Sequence, residues 1–326
     1  MFFDDRFIIL VYDYGQRGVI VVDFNNLMDL QIEIFFLMIV GYILRKVNII
    51  SSDNRKSLTD LVIYVILPAN IIYSFMIEMN GEIIRSGLTI LVVSIVIQLG
   101  CSFLGKYFFI KASPRQQSVL RYGTICSNAG FMGSPLIQGL YGLNGLLFAS
   151  IYLIPQRIVM WSGGVACFTS AKGKDVIKKV ISHPCIIAVF IGLIIMISQV
   201  QLPNYLDISI KALSNCNMAL SMIVIGGILA EISIKEVINK LTLYYSLIRL
   251  ILIPLLVLLG CVVVNLPPLV VAVSTVLAGM PAGSTTAILA EKYDGDSKLA
   301  VEIVFLSTAL SLITIPLLCI IINAVV

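Results

Sequence analysis

Two apolar stretches of this sequence are interrupted by glycine and proline where a membrane-spanning helix would otherwise be continuous. The first is SNAGFMGSPL at 127–136, and the second is AGMPAGSTT at 278–286. Because proline has no backbone N–H and clashes with the carbonyl one turn back, a regular helix should break near Pro135 and again near Pro281. A broken backbone is tolerated at membrane depth only where it is buried in protein or lines a wet cavity. The matching places of the two interruptions in the two halves of the chain therefore predict the binding site of a transporter.

The remaining apolar runs fix the class of protein. Only 12% of the 326 residues are charged, whereas a soluble domain is about a quarter charged. Ten runs approach the ~20 residues that a bilayer core requires. These predicted spans 1 to 10 lie at 28–46, 57–77, 85–107, 117–140, 143–168, 178–199, 207–231, 241–264, 267–290 and 297–324. The sequence therefore predicts an all-α integral membrane protein with ten transmembrane helices.

Lysine and arginine are concentrated in alternate loops. Sixteen of the 22 lie in or beside one set of loops, and only four lie on the opposite side. By the excess of positive charge on the cytoplasmic side, both termini face outward. Five spans in each half then make the halves inverted relative to each other. We expect a first five-helix repeat at 28–168, a cytoplasmic loop at 169–177 and a second five-helix repeat at 178–326.

The first 27 residues do not fit this pattern. Their short apolar pieces are broken by charged residues such as Asp4, Asp5 and Arg6, which makes them too interrupted to span, and they lack the features of a signal peptide. We interpret residues 1–27 as an N-terminal extension that is not native to the protein, with the natural start near Val22 or Met28. The alternative is a short outer segment.

Seven motifs follow one another in a specific order and spacing. They are LTDLVIYVILPANIIYSF (58–75), SNAGFMGSPLIQGLYG (127–142), HPCIIAVFIGLII (183–195), MALSMIVIGGILA (218–230), RLILIPLL (249–256), AGMPAGSTTAILAEKYDGD (278–296) and FLSTALSLITIPLL (305–318). Over 28–324 the chain resembles the bacterial branch of the auxin efflux carrier family. That branch includes malate or malonate permeases, and the family includes the plant PIN-type carriers. The resemblance implies two inverted five-helix repeats, with broken spans 4 and 9 crossing at the centre, and secondary transport of organic anions. Two departures are Met218, where a proline is expected, and His183, where asparagine is commoner.

The two interruptions also predict the kind of ligand. The second halves of spans 4 and 9 begin near Pro135 and Ala282, both at mid-membrane, and each exposes free N–H groups with a partial positive charge. Such helix starts bind anions. The alternative is that small residues merely let two helices cross closely. The candidate substrate-binding residues are Asn128, Gly130, Ser134, Pro135, Arg157, Pro281, Ser284, Thr285, Thr286 and Asn70.

Charged residues inside the spans add further candidates. Arg157 lies some 11 residues from the inner end of span 5, roughly 16 Å at the helical rise, so it should face the bundle interior and pair with a substrate carboxylate or with Glu302. Glu302 and Asp60 are the proton-coupling candidates, since intramembrane carboxylates carry protons; Asp60 could instead stabilise a helix N-terminus. Arg249 is shallower, and we expect it to snorkel inward in a structural role.

Several classes of protein are excluded by missing motifs. The sequence has no P-loop, no HExxH and no GxSxG, so we expect no enzymatic activity and no cofactor. One histidine and seven scattered cysteines predict no metal site. The remaining function is a secondary active transporter of small organic anions in the plasma membrane, coupled to protons or to the membrane potential and working by alternating access.

Two alternatives stay open. A sodium-coupled symporter of the bile-acid type needs acidic or amide ligands at the crossing. A membrane sensor that binds the ligand without moving it would usually carry a soluble output domain. The expected partners are the anion and the lipid bilayer, without nucleic acid, and a homodimer is left open.

Overall fold

A computed structural model describes residues 24–78, 80–164, 167–168, 182–230, 237–293 and 295–326. These residues form helices and no β-strand. The helices are α1 (Phe24–Lys46), α2 (Asn54–Ser74), α3 (Gly81–Phe108), α4 (Pro114–Ile125), α5 (129–141), α6 (143–159), α7 (Pro184–Ser198), α8 (Asn204–Leu229), α9 (Lys240–Val263), α10 (Pro268–Ala278), α11 (Thr285–Lys292) and α12 (Ser297–Val325). Residues 1–23 of the predicted extension and the predicted loop at 169–177 lie outside the described residues.

Six helical stretches among the described residues are long and apolar enough to cross a membrane: α2, α3, 129–159, α8, α9 and α12. Helices α7 and α10 are apolar but shorter. Large apolar side chains remain exposed along these helices, for example Leu99 at 66% and Leu259 at 61%. Exposed apolar faces of this extent suit a hydrocarbon solvent, and the prediction of an all-α integral membrane protein is confirmed.

Short polar residues set several helix starts. The Ser51 side chain accepts a hydrogen bond from the Asn54 backbone N–H at 3.1 Å. The Asn239 side chain accepts from the Thr242 backbone N–H at 3.0 Å at the start of α9, and Asp296 does the same for Leu299 at 3.0 Å before α12. Each side chain satisfies one backbone donor that a helix leaves free at its first turn.

The chain reverses direction between α5 and α6. Gly142 has φ 62° and ψ −153° inside an otherwise helical stretch. A Cβ built on Gly145 would lie 3.1 Å from the carbonyl oxygen of Ile137, although eight residues of straight helix would separate the two by about 12 Å. A tight turn therefore lies at Gly142, where the boundary between spans 4 and 5 is predicted.

Gly142→Ala should destabilise the fold through the backbone alone. No atom lies within 4 Å of the added Cβ, so the cost is that of holding a residue with a side chain in a conformation open mainly to glycine, about 1–3 kcal/mol. The measurement is the melting temperature of the purified protein. Gly100→Ala in α3, where the space is equally open, is the control and should not lower it. Equal melting temperatures would contradict the strained turn.

The helices pack into two bundles. In the first, α1 packs against α8, and α2 packs against both α7 and α8. In the second, α3 packs against α4 and α6, while α9 and α11 pack against α12 and α10 packs against α9. Glycines permit the closest approach: a Cβ on Gly41 of α1 would lie 2.1 Å from the carbonyl oxygen of Ile223 on α8. The first bundle is therefore held by direct backbone contact between α1 and α8.

Candidate functional site

The two helix breaks meet and hydrogen-bond to each other. Ser127 and Ala282 pair as an antiparallel bridge between the end of α4 and the end of α10. The Asn128 N–H donates to the Pro281 carbonyl at 2.8 Å, and the Gly283 N–H donates to the Cys126 carbonyl at 3.0 Å. The breaks thus meet at one place, called the crossing below, and each satisfies backbone groups that the other leaves unpaired.

Two further contacts hold the crossing in place. Gln156 of α6 donates from Nε2 to the Ser127 carbonyl at 2.8 Å, and the Ser127 hydroxyl donates to its Oε1 at 3.0 Å. On the other break, the Ala282 N–H donates to the Ser307 hydroxyl of α12 at 3.1 Å. A Cβ on Gly283 would lie 3.1 Å from the Cys126 carbonyl oxygen, so glycine lets the two backbones approach this closely.

The first break lies earlier in the chain than predicted. Helical backbone resumes at Ala129 as a wide π-helical turn over Ala129–Gly133, and Pro135 is the second residue of the α-helical segment that follows. The prediction that this half-helix begins near Pro135 is therefore wrong by six residues. The π-helical turn directly before Ser134 lets the proline enter at the start of the α-helical segment, where its missing donor is tolerated. The second half-helix, α11, begins at Thr285, three residues from the predicted Ala282.

A cavity of about 70 Å³ lies beside the crossing. Its walls come from α2 of the first bundle, from both breaks, from α6 and from the start of α7. The lining residues are Ile63, Leu67, Ser127, Asn128, Gly130, Phe131, Leu153, Gln156, Arg157, Met160, His183, Cys185, Gly283, Ser284 and Thr285. The cavity therefore lies between the two bundles, with the starts of both half-helices in its wall.

Arg157 is a charged group of this cavity for which the described part of the chain supplies no hydrogen-bond or ion-pair partner. Its side chain is 7% exposed, and its Nη1 is buried without a hydrogen-bond partner. Among the described residues it forms no ion pair, and the alternative partner Glu302 instead accepts a hydrogen bond from Asn239 Nδ2 at 3.0 Å. A buried cation without a counter-charge is costly, and an anion in the cavity would lower that cost.

Five of the ten predicted substrate-binding residues line the cavity. They are Asn128, Gly130, Arg157, Ser284 and Thr285. The other five are Ser134, Pro135, Pro281, Thr286 and Asn70, which do not line it. The Pro281 carbonyl accepts the hydrogen bond from Asn128 at the crossing, and Asn70 donates to the Ser214 hydroxyl of α8 at 2.9 Å. The roles of all ten residues in binding stay predictions.

The remaining charged candidates lie elsewhere. Glu302 is 8% exposed on α12, and Asp60 is exposed on α2; neither lines the cavity, and their proton-coupling roles stay predictions. Arg249 is only 2% exposed on α9, with its Nε unpartnered. The expectation that Arg249 snorkels to the surface is therefore wrong, because α9 packs that face against its neighbours.

Sequence reasoning missed several lining residues. Leu153, Gln156 and Arg157 of α6, with Met160 directly after it, follow the i, i+3, i+4, i+7 spacing of one helix face, so helical periodicity around Arg157 could have found Gln156. His183, which the sequence marked only as a departure from the family pattern, also lines the cavity. No local signal places it there, because its position depends on how the two bundles pack.

The chain matches known proteins over most of its length. The sequence model of the family described as membrane transport protein matches residues 27–178 and 168–319. An uncharacterized transporter of Methanocaldococcus jannaschii, MJ1031, is 25% identical over 303 residues, which are 89% of this chain and 97% of the relative. An uncharacterized transporter of Methanothermobacter thermautotrophicus is 26% identical, with coverage of 88% and 95%. The uncharacterized transporter YfdV of Escherichia coli K12 is 24% identical, with coverage of 85% and 93%.

Proposed function

The chain belongs to the membrane transport protein family, which is the auxin efflux carrier family that its motifs resemble, and from this we propose that it is a secondary active transporter of small organic anions. It is a membrane transporter and not an enzyme. The proposal concerns the carboxylate substrate, the coupling and the mechanism, and it rests on the site beside the crossing.

The observation that carries the proposal is the unpaired guanidinium of Arg157 in a cavity shared with two half-helix starts. Planar carboxylates suit a guanidinium because two N–H groups can donate to two oxygens in parallel. The start of α5 adds backbone N–H groups, since the first backbone hydrogen bond of that half-helix is donated by Met132, and the hydroxyls of Ser284 and Thr285 lie in the same wall. Of the described residues that line the cavity, none is aspartate or glutamate, so the electrostatics favour an anion.

We further infer ten membrane spans in two inverted repeats. In this arrangement α4 with α5 forms the broken span 4, and α10 with α11 forms the broken span 9. The packing supports this correspondence between the halves. The contact of α1 with α8 is matched by the contact of α7 with α2. In the same way, α3 packs against α4 and α6 in the first half, and α9 packs against α10 and α12 in the second. The double match of the family model, once in each half, supports it independently.

Alternating access would then move one bundle against the other. The cavity lies between the bundle of α1, α2, α7 and α8 and the bundle that contains the crossing, so a rocking motion would open it to either side in turn. The concentration of lysine and arginine in alternate loops supports a plasma-membrane protein with both termini outside. Protons or the membrane potential would drive transport, with Glu302 and Asp60 as the candidate proton carriers.

The rival sodium-coupled symporter is less well supported. A sodium site needs several oxygen ligands with compensating negative charge, whereas the lining offers only neutral oxygens, such as those of Asn128 and Ser284, beside the cationic Arg157. A sensor that binds without transport shares the same anion site. Transport measurements separate these possibilities.

Uptake into proteoliposomes tests the proposal. The purified full chain would be reconstituted and supplied with labelled dicarboxylates and aromatic acids, with a pH gradient, a membrane potential or a sodium gradient applied one at a time. We expect saturable uptake of at least one acid, driven by the pH gradient or the potential, and its loss in Arg157→Gln. Uptake only with sodium would favour the symporter. Binding of an acid without uptake under any gradient would favour the sensor.

A further inference from the structure

A long apolar groove runs between α3 and α9, away from the cavity of the crossing. Its volume is about 750 Å³. On α3 the lining runs from Arg85 to Leu104, and on α9 from Ile253 to Cys261, followed by Val264 and Leu266 just beyond the helix. The rise from Arg85 to Leu104 is about 28 Å at the helical rise, which is close to the ~30 Å of a bilayer's hydrocarbon core. The groove is therefore about as long as the hydrocarbon core of a bilayer is thick.

The groove faces outward, into the space that lipid occupies around a membrane protein. Leu88 is 59% exposed, Val92 60% and Val96 62% on the α3 wall, and Leu256 is 48% exposed on the α9 wall. Apart from Arg85 and Thr89, the lining consists of apolar residues, glycines and cysteines. Such a lining suits a hydrocarbon chain and offers a polar ligand few partners.

Two glycines give the groove its depth. Gly100 on α3 and Gly260 on α9 both line it, and neither has any atom within 4 Å of the position where a Cβ would be. Other glycines of this protein serve close packing, as Gly41 does between α1 and α8. At Gly100 and Gly260 the missing side chains instead leave open space, which a bound molecule can fill.

One end of the groove carries a positive charge. Arg85 lies in the second turn of α3, and its side chain is exposed. Its guanidinium has no hydrogen-bond or ion-pair partner in the part of the chain that the structure describes. A guanidinium at this depth lies at headgroup level, where it can donate two parallel hydrogen bonds to a phosphate.

We propose that this groove is a binding site for a phospholipid, with one acyl chain between α3 and α9 and the phosphate on Arg85. An anionic headgroup is favoured, because a choline would place a second positive charge beside the arginine. The bound chain would contact α3 and α9 together, and so join the first and second halves of the crossing bundle. The proposal depends on the membrane setting of the protein and not on which substrate it transports.

Lipid retention and thermal stability test the site. The full chain would be stripped of lipid in detergent and titrated with phosphatidylglycerol or phosphatidylcholine, and both bound lipid, by native mass spectrometry, and melting temperature would be measured. We expect phosphatidylglycerol to be retained more strongly and to raise the melting temperature more. Arg85→Gln should weaken its retention by about tenfold, as expected for the loss of one charge-assisted hydrogen bond, to the level of phosphatidylcholine.

Filling the groove should remove binding of both lipids. The double substitution Gly100→Leu with Gly260→Leu places side chains into open space, and the matched control Gly100→Ala with Gly260→Ala adds only methyl groups. Lys211→Gln, at an exposed lysine of α8 outside the groove, controls for general surface charge. Both controls should retain phosphatidylglycerol as the unsubstituted protein does.

Three results would overturn the proposal. In the first, the leucine variant retains as much lipid as the alanine control. In the second, Arg85→Gln keeps the preference for phosphatidylglycerol unchanged. In the third, the unsubstituted protein is a dimer that the leucine substitutions dissociate, which would show that a second copy occupies the groove. If the leucine variant does not fold, Arg85→Gln against Lys211→Gln decides alone, because both positions are exposed and their changes leave the packing intact.

Discussion

Gly226→Ala is expected to separate α1 from α8 and to remove most of the folded protein. A Cβ on Gly226 would lie 1.9 Å from the carbonyl oxygen of Met38 and 2.8 Å from its carbonyl carbon. Both atoms belong to helical backbone, which cannot rotate away as a side chain can. The two helices would have to move apart along their whole contact, so we expect a cost at or above the usual range for overpacking, about 3 kcal/mol.

The neighbouring glycine supplies the control for this experiment. A Cβ on Gly227 would meet nothing closer than 3.8 Å, so Gly227→Ala should fold normally and gain slightly in helix propensity. Gly41→Ala, on the opposite helix, should behave like Gly226→Ala. The measurements are the yield of monodisperse protein and its melting temperature. If Gly226→Ala melts at the same temperature as Gly227→Ala, the close contact between α1 and α8 is refuted.

The features that the sequence predicted correctly depend on the chemistry of residues that are close together in the chain. Proline and glycine disrupt a helix wherever they stand, so 127–136 and 278–286 could be identified as breaks, and their matching places in the two halves predicted that they meet. The reversal at Gly142 was predicted for a similar reason. Two apolar runs of membrane length there leave room for only a tight turn, and glycine accepts the required backbone angles.

The features that the sequence could not predict depend on packing between distant segments. The half-helix α5 begins at Ala129 because Asn128 hydrogen-bonds to Pro281 in the other half of the chain. The residues around Asn128 do not predict that contact. His183 and Ile63 reach the cavity only through the arrangement of α2 and α7 beside the crossing. The depth of Arg249 was misjudged because distance along a helix does not show which face its neighbours cover.

Arg157 is expected to show opposite effects on stability and on binding. Its buried Nη1 has no hydrogen-bond partner among the described residues, and an uncompensated buried charge destabilises a fold by several kcal/mol. Arg157→Gln removes the charge and keeps a similar shape, so we expect the ligand-free protein to gain about 1–3 kcal/mol in its free energy of unfolding. A purely structural arginine, paired with Glu302, would instead lose stability when replaced.

The same substitution should abolish most of the stabilisation that a carboxylate ligand provides. Loss of a charge-assisted hydrogen bond weakens binding by about 1.5–3 kcal/mol. The ligand-induced stabilisation of Arg157→Lys should lie between those of the unsubstituted protein and Arg157→Gln, since lysine keeps the charge but loses the planar pair of donors. The measurement is the melting temperature of each variant with and without an acid that the reconstituted protein transports or binds.

Arg249→Gln is the matched control for Arg157→Gln, because Arg249 is equally buried but lies outside the cavity, so its replacement should leave the ligand-induced shift intact. A full shift in Arg157→Gln would remove this arginine from the site. Anion recognition would then depend on the two helix breaks alone, where backbone N–H groups can bind an anion without any charged side chain.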